Sequence, residues 1–179
     1  KMTKDCAPIE YTGYHLAVSK TGAVTVKSSR VISTSSACVG RRPAGLDELP
    51  GEGLSPVGAY FAEVARLEAA SVTAFDILRD ELLLHGAPIE LVEAAIAAAG
   101  DEVRHAKAIA ALAQRYGATP LSPNVQVPAP RPLFEVLLEN AVEGCVRETF
   151  GAFVGAFQAE RARDPAVAGA MAKIAEDEA

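Results

Sequence analysis

A glutamate and a histidine that both face the apolar side of one helix constrain this chain more than any other feature. Glu102 and His105 lie three positions apart in an alanine-rich segment, predicted to be helical from about Pro88 to Tyr116. Residues at that spacing lie side by side on one helical face, and the other residues on this face are mostly apolar. A carboxylate or an imidazole left alone there would cost several kcal/mol, so another group must share the site.

A divalent metal ion is the partner that suits both a carboxylate and an imidazole. Glu-x-x-His is also the pairing by which helical bundles hold two metal ions. For this pair taken alone, a neutral core histidine that is hydrogen-bonded to its neighbour is the alternative. Acidic residues at the same depth on the other predicted helices would favour the metal site over the neutral core histidine.

The composition favours closely packed helices and argues against nucleic acid as a partner. Half of the 179 residues are hydrophobic, and the 17 Lys and Arg residues stand against 23 Asp and Glu residues without a basic cluster. No apolar run approaches the roughly 18 to 20 residues that cross a bilayer, and no signal-peptide pattern is present. Because the chain opens on Lys1 and not on a methionine, these patterns leave its localisation unknown.

Residues 1–53 differ from the rest and predict a loop-rich extension with a short β-hairpin. Two alternating segments, 15–19 and 23–27, flank a glycine-bearing turn. The extension has too few large apolar residues for a core of its own. Cys6 and Cys38 either form a disulfide around the hairpin or remain free thiols, and the cysteines match no zinc spacing. We assign no function to this extension.

Residues 54–179 predict a helical bundle whose first helix carries a buried glutamate. Ser55-Pro56 supplies the N-cap and the first helical position, and Gly86 ends the helix after about His85. Glu68 falls in the middle of the apolar face of this helix, which argues against a solvated surface position.

The connection between the first two helices is so short that they must be antiparallel neighbours. Glu68 lies about 18 residues before this turn and Glu102 about 15 residues after it. At 1.5 Å per residue their heights differ by only about 5 Å. We therefore expect the two carboxylates to meet at one site.

Five prolines between positions 120 and 132 exclude a helix there and favour an extended crossover. The third predicted helix, about 132–163, offers two glutamates about 140° apart, Glu148 and Glu143. Glu148 lies about 16 residues before the turn at Asp164 and Glu178 about 13 residues after it, a match like that of the first two helices, whereas Glu143 lies roughly another 7 Å away. We therefore expect Glu148 to face the site, with Cys145 as a small buried residue on the same side.

The last segment, Ala168–Ala179, repeats the approach to the Glu-x-x-His pair. Asp177-Glu178 corresponds to Asp101-Glu102, and the chain stops where the repeat would supply Arg-His. We interpret this segment as an incomplete fourth helix.

This order of helical glutamate, Glu-x-x-His, crossover, helical glutamate and Asp-Glu resembles the ferritin-like superfamily of dinuclear carboxylate proteins, which includes rubrerythrins and bacterioferritins. The resemblance covers about residues 55–179. It implies an all-α, ferritin-like four-helix bundle with a long crossover between helices 2 and 3. The second histidine is missing, residues 1–53 have no counterpart, and no rubredoxin-like cysteine quartet is present.

The resemblance also implies a ligand set for two iron ions, with manganese or a mixed pair as alternatives. Glu102 and Glu178 would bridge the metals, Glu68 and Glu148 would be terminal ligands, and His105 would supply a ring nitrogen. No catalytic residue beyond these ligands is expected.

The implied function is oxidation of the ferroxidase or peroxidase type, with O2 or peroxide as the partner. Two other functions stay open: a metal-binding or storage module without turnover, and a structural bundle with a degenerate site. The sequence does not reveal the substrate, the reductant or whether the chain forms a homo-oligomer.

Overall fold

The computed structural model describes residues 9–19, 24–35, 43, 45–46 and 55–178. Most of these residues are helical, so the prediction of a mainly helical chain is confirmed. The chain divides into two compact units, residues 1–38 and residues 39–179. None of the described helices is both long enough and apolar enough to cross a membrane.

The first unit contains two antiparallel strands, β1 (Ile9–Val18) and β2 (Val24–Ser35). They extend well beyond the two short segments that the sequence indicated, and their pairing contains two register shifts. The predicted turn at residues 20–22 lies outside the described residues. Cys6 and Cys38 also lie outside them, so the choice between a disulfide and free thiols stays open.

The first two described helices of the second unit are long: α1 (Pro56–Leu84) and α2 (Ile89–Arg115). Their bounds agree with the predicted ones to within one or two residues. The Ser55 hydroxyl oxygen accepts a hydrogen bond from the Gly58 N–H at 3.0 Å and donates to the Tyr116 carbonyl oxygen at 3.1 Å. A Cβ at Gly58 would lie 2.5 Å from that same oxygen. Glycine is therefore required where the start of α1 meets the end of α2.

The predicted third helix is present, but a π-helical segment interrupts it. It consists of α3 (Leu133–Val142), the π segment Glu143–Glu148 and α4 (Thr149–Arg161). The proline-rich residues 117–132 before it contain no helix. The last helix, α5 (Pro165–Asp177), is capped by Asp164, whose side chain accepts a hydrogen bond from the Ala166 N–H at 2.9 Å.

Arg131 anchors the end of the proline-rich segment to the end of α1. Its guanidinium donates two hydrogen bonds to the Glu81 carboxylate, at 2.7 and 2.8 Å, and a third to Glu139 at 2.8 Å. Its backbone N–H also donates to Glu81, at 3.0 Å. Hydrogen bonding to Arg131 holds the pKa of the buried Glu81 carboxyl below its usual range. This ion pair fixes where the third helix begins.

The described residues of the second unit form two apolar clusters with a polar layer between them. The layer is formed by the buried side chains of Glu68 and Ser71 on α1 and of Glu102 and His105 on α2. One cluster joins α1, α2 and α5, and includes Phe61, Val64, Ile109, Leu112, Met171 and Ile174. The other cluster joins α1, α2 and α3, and consists of Phe75, Leu78, Ala95 and Val136. Along both α1 and α2 the polar residues lie between the positions of the two clusters.

Candidate metal centre

Three buried side chains on α1 and α2 converge within the polar layer. One ligand atom each from Glu68, Glu102 and His105 lies within 4.8 Å of the other two. All three side chains are at most 3% exposed. The expectation that the Glu68 and Glu102 carboxylates meet at one site is therefore confirmed.

Helix α5 brings two more carboxylates to the two ring nitrogens of His105. Nδ1 lies 3.4 Å from Oε1 of Glu178 and 3.8 Å from Oε2 of Glu68. Nε2 lies 3.2 Å from Oδ2 of Asp177. The imidazole thus faces the carboxylate cluster with Nδ1 and faces Asp177 with Nε2.

Asp177 was not among the site residues expected from the sequence. It stands next to Glu178, yet its carboxylate approaches the opposite nitrogen of His105 and also pairs with Lys173 at 2.9 Å. A carboxylate that accepts a hydrogen bond from Nε2 favours the tautomer in which Nε2 carries the proton. The lone pair of Nδ1 is then available to a ligand. The repeat of Asp-Glu at 101–102 and 177–178 is the sequence signal that could have indicated it.

Burial and mutual repulsion raise the pKa values of the Glu102 and Glu68 carboxyl groups. Burial is the main cause that raises the pKa of Glu102, to about 11, and the contact with Glu68 and the charges of Glu68, Glu178 and Glu148 add to it. Burial likewise raises the pKa of Glu68, although a hydrogen bond shared with Glu102 and the nearby His105 work in the opposite direction. Without a cation, the folded protein therefore keeps Glu102 protonated at neutral pH.

The pKa of His105 also lies above its ordinary value, although burial acts on an imidazole in the opposite direction. Burial lowers it, but the carboxylates of Glu178, Glu68 and Asp177 together outweigh that effect. The site therefore favours positive charge on or beside the imidazole.

Three buried polar atoms of the cluster make no hydrogen bond with any described residue: Oε2 of Glu68, Oε2 of Glu102 and Nδ1 of His105. Buried polar atoms in proteins are nearly always satisfied, so such a group calls for an explanation. Two carboxylate oxygens and one imidazole nitrogen form a donor set that a divalent transition metal accepts. These residues fit a metal ion.

The third helix contributes Glu148, and the π segment also turns Glu143 inwards. Glu148 lies close enough for its charge to help raise the pKa of Glu102. Glu143 is buried, whereas Glu148 is half-buried, and the Glu143 carboxylate pairs with Arg147 at 2.9 Å. In an α-helix, residues five apart differ by about 140°. The i→i+5 hydrogen bonding of a π-helix instead brings them to the same side.

Two expectations for the third helix are therefore corrected. The sequence placed Glu143 on a different face from Glu148, whereas the π segment buries it. The sequence also placed Cys145 as a buried residue on the inner face, but the Cys145 side chain is exposed. Both errors come from counting with a constant α-helical period.

Comparisons with protein-family models, with curated proteins and with solved structures find no match to this chain. The ferritin-like resemblance and the ligand roles therefore remain predictions from the sequence.

Proposed function

We propose that this chain is a ferritin-like dinuclear carboxylate protein that holds two metal ions, most simply iron, and oxidises them or a substrate with O2 or peroxide. One observation carries the proposal. Glu68, Glu102 and His105 converge deep in a helical bundle, with one buried ligand atom of each left without a hydrogen bond. Isolated charges are expensive in such a place, and a cation removes that cost.

The number of carboxylates supports two ions over one. Beside the three converging groups, Glu178 lies against Nδ1 of His105, and the charge of Glu148 acts on Glu102. Four glutamates and one imidazole are more ligands than a single tetrahedral ion takes, and helical bundles use such sets for pairs of metals. When bound, two iron ions supply electrons to O2 or peroxide.

The chain's own residues have defined tasks in this proposal. Glu68 and Glu102, which hold a proton between them without a cation, release it when the metal binds. His105 presents Nδ1 to the site because Asp177 engages Nε2. Lys173 in turn neutralises Asp177 from the surface, and with His105 it holds the pKa of Asp177 below its usual range.

A small cavity beside Glu68 supports a role for a small oxidant. It is lined mainly by apolar and small residues, among them Phe61, Val64, Gly151 and Gly155. At its edge the Gln158 amide donates a hydrogen bond to the Tyr60 hydroxyl at 2.9 Å. The cavity, of about 10 Å³, has no room for a bulky organic substrate.

Metal analysis of the purified chain tests the proposal directly. We expect about two equivalents of iron after anaerobic loading with Fe(II), and loss of most of it in Glu102→Ala. Glu93→Ala, which removes an exposed carboxylate from the same helix, is the matched control and should bind as the parent does. Equal iron content in the parent and in Glu102→Ala would refute a metal site at this cluster.

Exposure of the loaded protein to O2 or peroxide separates turnover from storage. We expect Fe(III) absorbance to develop faster with the parent than with free Fe(II) or with Glu102→Ala. Iron that is bound but keeps its oxidation state would instead support the storage module.

A further inference from the structure

Three aromatic side chains form a row that starts at the cavity beside Glu68. Tyr60 and Phe61 both line this cavity. The ring centroids of Tyr60 and Phe61 lie 5.3 Å apart with the ring planes at 63°, and those of Phe61 and Tyr116 lie 5.8 Å apart with the planes at 30°. Both distances are those of rings in direct contact. We call Tyr60, Phe61 and Tyr116 the aromatic row.

The hydroxyl groups at both ends of the row are hydrogen-bonded. The Tyr116 hydroxyl donates to Oδ2 of Asp164 at 2.8 Å, whereas the Tyr60 hydroxyl accepts a hydrogen bond from the Gln158 amide at 2.9 Å. Asp164 is ionised at neutral pH, because the Ala166 N–H and the Tyr116 hydroxyl hold its pKa below its usual range. Tyr116 therefore has a proton acceptor in direct contact.

A phenol that donates to a carboxylate is suited to one-electron oxidation. Removal of an electron from a tyrosine makes its hydroxyl a strong acid, so the electron leaves readily only where the proton can leave as well. Here one electron leaves the Tyr116 ring, the hydroxyl proton moves to Oδ2 of Asp164, and a neutral phenoxyl radical remains. Such a transfer requires that donor and acceptor lie within hydrogen-bond reach, and these two groups do.

The proposed reaction with O2 has a use for this electron. Reduction of O2 to water takes four electrons, and two iron ions that change from Fe(II) to Fe(III) supply only two of them. Tyr60 lies eight residues before Glu68 on α1, which corresponds to about 12 Å of helical rise. Electrons tunnel over such distances in proteins, and the contacting rings divide the path from Tyr60 to Tyr116 into short steps.

We propose that the aromatic row carries single electrons from Tyr116 to the metal centre, with Asp164 as the acceptor of the Tyr116 proton. This inference rests on the proposed function, because the centre that reacts with O2 receives the electron. A small one-electron reductant in solution then reduces the radical at the half-buried Tyr116, and Asp164 returns the proton. The row thus supplies electrons to the buried cluster without opening it to solvent.

Electron paramagnetic resonance of the iron-loaded chain, frozen soon after it is mixed with O2, tests the route. We expect a tyrosyl radical in the parent and loss of its main component in Tyr116→Phe, which keeps the ring but not the hydroxyl. Phe61→Leu should also lose this component, although Tyr116 is intact, because the central ring is absent. Tyr14→Phe, in β1 of the first unit, is the matched control and should keep the parent signal.

Iron content and helical circular dichroism, measured on the same samples, separate the possible failures. Iron that O2 oxidises while no radical signal depends on Tyr116 would overturn the inference and leave the proposed function standing. An unchanged signal in a folded Phe61→Leu chain would likewise overturn it, and Tyr116→Phe, whose ring packing is conserved, decides the matter if Phe61→Leu does not fold. A parent that binds or oxidises no iron would overturn both proposals.

Asp164→Asn tests the proton acceptor without any metal. Asparagine caps a helix as well as aspartate does and can still accept the hydrogen bond from Tyr116, but it cannot take the proton. In a metal-free chain whose other three tyrosines are replaced by phenylalanine, voltammetry should find a higher oxidation potential for Tyr116 in Asp164→Asn. Glu160→Gln, which removes an exposed carboxylate from the same region of the chain, is the matched charge control and should keep the parent potential. Equal potentials with Asp164 and with Asn would overturn the proposal.

Discussion

Replacement of Glu102 by glutamine should stabilise the metal-free protein at neutral pH while it weakens metal binding. Glu102 has a folded-state pKa of about 11 against an ordinary value of 4.5. Between these values the folded state holds a proton that the unfolded state has lost. Stability therefore falls as pH rises, by about 1.4 kcal/mol per pH unit for this group.

The loss of stability at pH 7 follows from the difference between pH 7 and the ordinary pKa of a glutamate, 4.5. The 2.5 units between 4.5 and 7 correspond to a penalty of about 3 kcal/mol for Glu102 in the metal-free protein. Glutamine has the shape of the protonated acid and does not titrate, so Glu102→Gln removes this penalty. Glu68, whose pKa is also raised, keeps its own pH dependence in the variant.

Urea unfolding of the metal-free parent and of Glu102→Gln, at several values between pH 5 and pH 8, measures the effect. We expect the stability difference to grow with pH by about 1.4 kcal/mol per unit and to favour the variant by about 3 kcal/mol at pH 7. Glu93→Gln, on the exposed side of the same helix, should show no such trend. A pH-independent difference between the parent and Glu102→Gln would show that Glu102 ionises freely, and would refute the reasoning.

Two further perturbations test the shell around the site. Asp177→Asn removes the carboxylate that orients His105 and should lower metal affinity about 10- to 100-fold, measured by competition with a chelator. The control Glu176→Gln should leave the metal affinity unchanged. An unaltered affinity in Asp177→Asn would exclude the orienting role of Asp177. Arg131→Met leaves the Glu81 carboxylate buried without its main partner and should cost about 3 kcal/mol at pH 7 in urea unfolding. Arg131 lowers the pKa of Glu81. The ion pair therefore stabilises the fold above the ordinary pKa of a glutamate, and this stabilisation is lost as the pH falls through the lowered pKa of Glu81. A stability difference between the parent and Arg131→Met that stays constant down to pH 3 would contradict this.

The convergence at the centre of the bundle was predictable from local patterns. Ser55-Pro56 and Gly86 mark the ends of α1, and the tight turn after it leaves α1 and α2 only an antiparallel arrangement. Helical rise then determines height, so the meeting of Glu68 and Glu102 follows from counting residues. The position of His105 follows from its spacing to Glu102.

The third helix was predicted less well, because its period changes within the element. Glu143, Cys145 and Glu148 were assigned to faces on a constant α-helical wheel. A π segment shifts every later residue by part of a turn, and no local propensity indicates where it occurs. Its position depends on how α3 packs on α1 and how α4 packs on α5.

The sequence by itself determined the ends of α1 and α2 and the depth at which Glu68 and Glu102 stand, because capping residues, glycine and helical rise act locally. Only the tertiary structure decided that Asp177 approaches His105 and that Glu143 is buried with Arg147. These features depend on contacts between distant segments, and such contacts form only when the helices pack together.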